Sequence, residues 1–275
     1  MMGLFLLALN RKPSDRQPPM NAAILVIVLT AVMVFPVSAQ TDWNVVSVNE
    51  SASLPANAAF IEGEFEKDGA TVRLHGVRAD DRKIAFAVVD NPVDGEGGLD
   101  MAMKAGGFFA GINGGYFHPD FRPVGLEIAD GKEIHPFERA KLLSGVFAVV
   151  GGRPKLVRSS DFVASPKVTH ALQAGPFLVS NSELSVGLND TKRARRTVIA
   201  TDGKSGWAIL LLSPVTLADA SEIMNTPGAI PGLNVVRALN LDGGSSSALW
   251  AATSPKPFYF REYGSVRNYL GLRSR

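Results

Sequence analysis

Residues 147–157, with the sequence FAVVGGRPKLV, place two glycines between two short apolar segments. Glycines at the centre of such a stretch adopt the positive φ angles of a tight turn, so the pattern predicts a β-hairpin. The same arrangement recurs at Asp130-Gly131 and at Asp202-Gly203, each beside segments rich in Val, Ile and Leu. Repeated hairpins of this kind predict a sheet that is mainly antiparallel.

Two short segments with helical patterns interrupt the strands. Leu99–Ala105 ends at a Gly-Gly pair, and residues 216–224 place their apolar side chains on one face. No repeat and no linker divides the sequence after Gln40. We therefore expect an α+β fold, with one domain over residues 40–275 that contains a mixed, mainly antiparallel sheet and a few short helices.

The composition limits the chemistry. Of 275 residues, 46% are apolar and 20% are charged, which is enough apolar material for a buried core. Lys and Arg number 28 against 26 Asp and Glu, so the net charge of +2 does not predict a nucleic-acid partner. The absence of cysteine excludes disulfides, thiolate nucleophiles and zinc–thiolate sites. Binding or catalysis must therefore use oxygen and nitrogen groups.

The N-terminal segment has the pattern of an export signal. Residues 22–37 carry no charge, and Val-Ser-Ala at residues 37–39 forms an A-x-A-like cleavage site. A membrane-spanning helix would need about 20 apolar residues, and Pro36 shortens the run further. We therefore expect residues 1–39 to be a signal peptide, of which residues 1–19 are a doubtful upstream extension.

Export sets the expected compartment. We predict cleavage after Ala39, with Gln40 as the mature N-terminus and no stable membrane span after processing. A cysteine-free exported domain without excess charge suggests the periplasm or the exterior of a bacterium. The candidate substrates there are envelope and extracellular glycans, including exopolysaccharides, and their phosphodiesters.

Polar residues stand at the ends of three otherwise apolar strands. Asn113 precedes Gly114-Gly115, whose missing side chains let a ligand approach the backbone, and Gln173 lies in an apolar run. Asp242 ends a third strand and enters a Gly-Ser loop whose N–H and hydroxyl groups can hold an anion or sugar hydroxyls. The alternative is that Asn113 caps a glycine turn and that backbone groups satisfy Gln173.

A basic run, KRARR at residues 192–196, precedes an apolar strand at residues 197–200. Lys192 and Arg193 are most simply explained by a solvated turn. Arg196 abuts the strand, where rigid backbone holds its side chain. Its planar guanidinium can bind phosphate or carboxylate through two parallel hydrogen bonds.

Taken in order along residues 109–250, these segments resemble the phosphodiester glycosidase family. The similar segments are NGGYF at 113–117 (NGGFF in the family), PVG at 123–125 with the turn at 130–131, QAGP at 173–176 with LV at 178–179, RTVIA at 196–200 (RTAIG) and NLDGGSS at 240–246 (NLDGGGS). The chain departs from the family pattern at Ala200 and Ser245, where glycine is usual.

The resemblance implies a hydrolase that cleaves a glycosyl phosphodiester. The leaving phosphate monoester departs without strong protonation, so the site needs an anion near C1 and a cation near phosphate. We expect three catalytic residues in one cleft with Gln173: Asp242 as the carboxylate, Arg196 as the phosphate partner and Asn113 as a hydrogen-bonding positioner. The residues expected to contact substrate are Gln173, Gly114, Gly115, Tyr116, His118, Gly243, Gly244, Ser245 and Ser246.

Other features of the expected site follow from the same reasoning. No cofactor is required, although the Asp242 loop could bind Ca²⁺ or Mg²⁺. Glu127 is the next candidate acid, but it alternates with apolar residues and matches no motif, so we predict that it faces solvent. Two other functions use the same groups: a non-catalytic glycan-binding module of the same fold, and a hydrolase of ordinary glycosides.

Overall fold

The computed structural model describes residues 42–92 and 97–275, which belong to one compact unit, Ala39–Arg275. The expected signal peptide, residues 1–39, and its cleavage site lie outside the described residues. Within the described part, no helix is long and apolar enough to cross a membrane.

The described residues form eighteen strands and two α-helices. The strands are β1 (Asn44–Leu54), β2 (Ala58–Lys67), β3 (Ala70–Asp80), β4 (Ile84–Asp90), β5 (Ala110–Asn113), β6 (Glu127–Ala129), β7 (Lys132–His135), β8 (Gly145–Val150), β9 (Arg153–Arg158), β10 (Val168–Ala174), β11 (Phe177–Ser180), β12 (Glu183–Leu184), β13 (Ala194–Thr201), β14 (Gly206–Val215), β15 (Arg237–Asn240), β16 (Leu249–Ala251), β17 (Phe258–Phe260) and β18 (Asn268–Ser274). The helices are α1 (Leu99–Ala105) and α2 (Leu217–Asn225), and 3-10 turns cover Pro55–Asn57, Ser159–Asp161 and Gly244–Ser246.

The strands make three sheets in the described part of the chain. The eight-stranded sheet has the order β1-β2-β3-β14-β13-β15-β11-β12, and the two five-stranded sheets have the orders β7-β6-β10-β8-β9 and β17-β16-β5-β18-β4. The strand pairs described in all three are antiparallel. The expectation of an α+β fold with mainly antiparallel pairing is confirmed.

The turns and helices predicted from short sequence patterns form in the structure, with one difference. Gly151 and Gly152, at φ 57° and 76°, join β8 to β9. Asp130-Gly131 joins β6 to β7 in the same way, also with positive φ angles. Asp202 and Gly203 instead begin a longer connection, because β13 ends at Thr201 and β14 begins at Gly206. The predicted helices form, and the Thr216 hydroxyl caps α2 by accepting from the Asp219 N–H.

Successive side chains of β13 point to opposite faces of the large sheet, and this alternation decides which groups lie on the same face. On β13, Val198 and Ala200 pack with the apolar side of α2, whereas Ile199 packs with residues of the two smaller sheets. The large sheet therefore lies between α2 and the smaller sheets. Arg196 has the same parity as Val198 and points to the α2 side, and Thr197 points to the side of β5.

Candidate active site

The backbone around Asp242 connects two motifs that lie far apart in the sequence. Just after β15, the Leu241 N–H donates to the Thr197 carbonyl on β13 at 2.8 Å. The Asp242 N–H donates to the carbonyl of Gly114, in the turn after β5, at 3.1 Å. The Asp242 loop is thus anchored between a strand of the large sheet and a strand end of a smaller one.

Asn113 strengthens this junction from the interior. Its Nδ2 donates to the Asp242 carbonyl at 2.8 Å, and its Oδ1 accepts from the Thr197 hydroxyl at 2.7 Å and the Ala248 N–H at 3.0 Å. The side chain is fully buried. Asn113 therefore sets the position of Asp242, and the structure places it beneath the loop, with both amide atoms bonded to protein groups.

The Asp242 carboxyl group is half-buried in its loop. Oδ1 accepts from the Gly243 N–H at 2.8 Å, and the Ser246 side chain gives a second hydrogen bond. Burial raises the pKa of Asp242 above its usual value, against these two hydrogen bonds. Across residues 42–92 and 97–275, no cation lies within ion-pair distance of this carboxylate.

The Arg196 guanidinium is held by backbone carbonyls. Nε donates to the Val215 carbonyl at 3.1 Å and Nη2 to the Lys192 carbonyl at 2.8 Å, with 9% of the residue exposed. Burial lowers the pKa of Arg196, and the nearby Tyr116 opposes that shift. Among the described residues Nη1 makes no hydrogen bond, so one edge of a rigidly held cation stays free for a ligand.

Tyr116 interacts with both of these charged groups. Its hydroxyl donates to the Gly175 carbonyl at 2.6 Å and accepts from Asn240 Nδ2 at 3.0 Å. Burial raises the pKa of Tyr116 well above its usual range, and the charge of Asp242 raises it further. The Asn240 hydrogen bond and the charge of Arg196 lower it. The phenol therefore lies within electrostatic reach of the anion and the cation.

Asn240 belongs to the same cluster, although it was not among the expected site residues. Its Nδ2 also donates to the Gly175 and Leu241 carbonyls, whereas its buried Oδ1 has no hydrogen-bond partner in the described part of the protein. Strand alternation could have indicated it, because Asn240 lies two positions before Asp242 and so shares its face.

Gln173 serves a different part of the fold. Its Oε1 accepts from the Leu126 and Glu138 N–H groups, each at 3.0 Å, and its Nε2 donates to the Glu138 carbonyl at 2.7 Å. Only 2% of the residue is exposed. The side chain thus fastens the connection between β7 and β8 to β10. The backbone of Gln173 lies near Gly115, so it supports the site from outside.

Gly114 and Gly115 make room for another side chain, that of Asn268. Their N–H groups donate to the Asn268 carbonyl and Oδ1, at 2.9 and 2.7 Å. A Cβ on Gly114 would lie 2.1 Å from Asn268 Oδ1. The close approach expected for a ligand at Gly114 is therefore made by Asn268, 153 positions along the chain from Gly115, for which the sequence offers no local signal.

Glu127 is fully buried, so the prediction that it faces solvent is wrong. Its Oε2 accepts from Asn268 Nδ2 at 2.6 Å, because β6 is covered by the sheet that contains β18 as well as by its own core. Burial raises the pKa of Glu127 to about 8; Arg267 opposes this shift and Asp90 adds to it. Glu127 lies in the support beneath Gly115.

The remaining expected residues lie in exposed or partly exposed loops. His118 and Ser245 are exposed, whereas Gly243, Gly244 and Ser246 are partly buried. Gly243 is needed for packing, because a Cβ there would lie 2.7 Å from the Arg195 carbonyl. Direct contact between these residues and substrate stays a prediction. No group of three or more His, Asp or Glu suited to a metal ion occurs within the described residues, and cation binding by the Asp242 loop also stays a prediction.

The described residues thus combine antiparallel sheets, a carboxylate in a glycine-serine loop after β15, and an arginine held on the neighbouring strand β13. Residues 106–273 match the family pattern of the phosphodiester glycosidases. This match covers more than half of the sequence, and the chain belongs to that family.

The chain is also similar to individual proteins. The uncharacterized protein YigE of Escherichia coli K12 is 26% identical over 129 residues, 44% of this chain. The chain spans about half the length of that curated relative, 47%. The catalytic domain of zebrafish N-acetylglucosamine-1-phosphodiester alpha-N-acetylglucosaminidase, auto-inhibited by its pro-peptide, shares the fold at a TM-score of 0.60 and 15% identity, over 84% of this chain and 89% of that one. A hypothetical protein from Synechocystis does so at 0.55 and 14%, over 79% and 62%.

Proposed function

We propose that the protein is an exported hydrolase that cleaves the sugar-1-phosphate linkage of a glycosyl phosphodiester in an envelope or extracellular glycan. Family membership supports hydrolysis of phosphodiester glycosides. The observation that carries the proposal is the hydrogen bond from the Leu241 N–H to the Thr197 carbonyl, which brings Asp242 to the strand position next to Arg196, with Tyr116 within electrostatic reach of both charges.

The chemistry of this substrate suits a site with one carboxylate and one cation. The bond between C1 and the phosphate oxygen breaks, the electron pair leaves with the phosphate monoester, and water adds to C1. A phosphate monoester is a stable anion, so a second carboxylic acid is not needed to protonate the leaving group. The site must instead stabilise positive charge at C1 and negative charge at phosphate.

Asp242 supplies the anion. Its carboxylate either accepts a proton from the attacking water or stabilises the positive charge that develops at C1, and both roles require the ionised form. Burial raises the pKa of Asp242, and the hydrogen bonds from Gly243 and Ser246 oppose that rise by favouring the ionised form. Asn113 holds the Asp242 backbone and so fixes the direction from which the carboxylate acts.

Arg196 and Asn240 supply the remaining polar groups. The free Nη1 edge of Arg196 binds a phosphate oxygen, and the two carbonyls that hold Nε and Nη2 prevent the guanidinium from turning away. Asn240 is buried, its Oδ1 included, so it acts from behind the site by donating to the Tyr116 hydroxyl. Tyr116 keeps Asn240 in place through its hydroxyl.

A panel of glycosyl-1-phosphodiesters tests the proposal through the release of free sugar. We expect turnover of at least one phosphodiester and little turnover of aryl glycosides. A rise in melting temperature without release of sugar would instead identify a glycan-binding module, and turnover of aryl glycosides alone would identify an ordinary glycosidase. Activity that survives EDTA is expected, because the scheme requires no metal; loss of activity that Ca²⁺ or Mg²⁺ restores would contradict this.

Export is a separate part of the proposal and has a separate test. The short apolar run at residues 22–37 and the Val-Ser-Ala that ends it support cleavage after Ala39. The intact mass of the exported protein should correspond to a chain that begins at Gln40. Recovery of the uncleaved chain from the membrane fraction would show that the segment anchors the protein.

A further inference from the structure

Arg195 and two aromatic residues form a cluster that contacts the Asp242 loop. The guanidinium carbon of Arg195 lies 4.3 Å from the ring centroid of Tyr263 and 5.3 Å from that of Phe260. Successive side chains of β13 point to opposite faces, so Arg195 faces the sheet that contains Phe260, whereas Arg196 faces α2. Two neighbouring arginines therefore serve two different places.

The Asp242 loop joins this cluster to the proposed site. The Tyr263 N–H donates to the Ser245 carbonyl at 2.9 Å, and the Arg195 carbonyl packs directly against Gly243. Consecutive Cα atoms are 3.8 Å apart, so Ser245 lies within about 11 Å of Asp242. The cluster and Asp242 are therefore parts of one loop junction, so a substrate that extends along the loop from Asp242 can reach the cluster.

The cluster has the chemistry of a binding surface. In the described part of the chain, Arg195 has no carboxylate within ion-pair distance, so its positive charge is not neutralised and its guanidinium contacts the two aromatic rings. Tyr263 is 81% exposed although it is large and partly apolar. Tyr263 also lines a cavity of about 440 Å³ together with Arg261 and Glu262; the Glu262 carboxylate is bonded to the Leu99 N–H and the Tyr259 hydroxyl, and Arg195 lies outside the lining. A held guanidinium next to an exposed aromatic ring favours an anionic group attached to a sugar.

We propose that Arg195 and Tyr263 form a second anion-binding subsite, which takes a phosphate or carboxylate on the unit next to the cleaved linkage. The inference rests on the proposed function for its place in the reaction. It identifies the substrate class as a glycan that carries more than one anionic group, with Arg195 binding the second anion and Tyr263 packing on the sugar that carries it.

Two matched substrates test the subsite. Both are glycosyl phosphodiesters of one sugar; one has a neutral alkyl aglycone, and the other has the same aglycone ending in a second phosphate. For the wild-type protein we expect the second phosphate to raise kcat/KM. Arg195→Gln should lower kcat/KM about tenfold on the doubly charged substrate and less than about twofold on the neutral one, because one charge-assisted contact is lost. Tyr263→Ala should act in the same direction.

Arg193→Gln is the matched control. Arg193 lies two positions before Arg195, its side chain is exposed, and it donates to the Pro214 carbonyl, so the substitution removes the same charge away from the cluster. It should leave the ratio of the two kcat/KM values unchanged. Melting curves establish that each variant folds. Equal losses on both substrates for Arg195→Gln, or no loss on either, would overturn the subsite.

A binding measurement separates the subsite from turnover. The probes are a disaccharide with a phosphate at the anomeric carbon and the same disaccharide with a second phosphate on the adjoining sugar, titrated by calorimetry. Tighter binding of the second probe, abolished by Arg195→Gln, supports the subsite even if no phosphodiester is cleaved, in which case only the proposed function fails. Equal affinities for the two probes, or no binding of either, overturn the subsite even if phosphodiesters are cleaved.

Discussion

Asp242 and Glu127 are both carboxyl groups whose pKa is raised by burial, but they have different access and different neighbours. Asp242 is half-buried in a loop, and hydrogen bonds from Gly243 and Ser246 favour its charge. Glu127 is fully buried, and Asp90 raises its pKa further, both as a like charge and through a hydrogen bond that requires a protonated carboxyl.

The difference shows that a raised pKa alone does not mark a reacting group. Glu127 cannot touch a substrate, yet it is connected to the site: it binds Asn268, Asn268 binds Gly115, and the carbonyl of Gly114 receives the Asp242 N–H. Asp242 is therefore the candidate for chemistry, and Glu127 is a candidate for the support that positions it.

Asp242→Asn should have the largest effect on catalysis. The substitution keeps the size of the side chain and removes its charge, so kcat/KM on a glycosyl phosphodiester should fall by about 10²-fold or more. Circular dichroism and melting curves should show a folded protein, because Asn can still accept from the Gly243 N–H. Wild-type kcat/KM in this variant would remove Asp242 from the catalytic role.

Glu127→Gln should alter how stability depends on pH. The pKa of about 8 in the folded protein exceeds the ordinary value of 4.5, so unfolding releases a proton between these values. The wild-type protein should therefore lose stability as pH rises from about 4.5 to about 8, by at most about 1.4 kcal/mol for each pH unit. Glutamine resembles the protonated form and should not show this contribution.

The measurement is chemical denaturation of both proteins at pH 5 and pH 8. The free energy of unfolding of Glu127→Gln, relative to wild type, should be greater at pH 8 than at pH 5. The kcat/KM of the variant should stay within about threefold of wild type, because Glu127 acts through Asn268 and not on substrate. A stability difference that is the same at both pH values would show that Glu127 is ionised throughout.

The same two residues show how far the sequence predicts this protein. Asp242 stands at a strand end before glycines, and this pattern involves only residues that are neighbours in the sequence. The hairpin turns and both helices also follow from such short-range patterns. Glu127 was misplaced because alternation identifies one covered face of β6 and cannot tell that a second sheet covers the other. That sheet includes β18, which brings Asn268 beneath Gly115.

Arg196→Lys should have a smaller effect than the loss of the Asp242 charge. Lysine keeps the positive charge but cannot bond two carbonyls and a phosphate oxygen from one plane. We expect kcat/KM on phosphodiesters to fall about tenfold, mainly through KM. Inorganic phosphate should also inhibit the variant more weakly than wild type. An unchanged inhibition constant for phosphate would remove Arg196 from phosphate binding.

Tyr116→Phe should have the smallest effect, and it tests whether the phenol near the two charges takes part in chemistry or only holds Asn240. The hydroxyl donates to the Gly175 carbonyl and accepts from Asn240 Nδ2, and both of those groups retain another partner without it, since Asn240 Nδ2 also donates to the Gly175 carbonyl. The loss of stability should therefore be about 1 kcal/mol.

The effect of Tyr116→Phe on catalysis should also be small. Because burial and the charge of Asp242 keep the pKa of Tyr116 far above neutral, the phenol does not act as a base, and kcat should fall less than about tenfold. Steady-state kinetics from pH 5 to pH 9, with melting curves as the control, decide between the two roles. A fall in kcat as large as that of Asp242→Asn would make the Tyr116 hydroxyl a proton donor to the reaction and would place the reacting atoms nearer to Tyr116 than to Asp242.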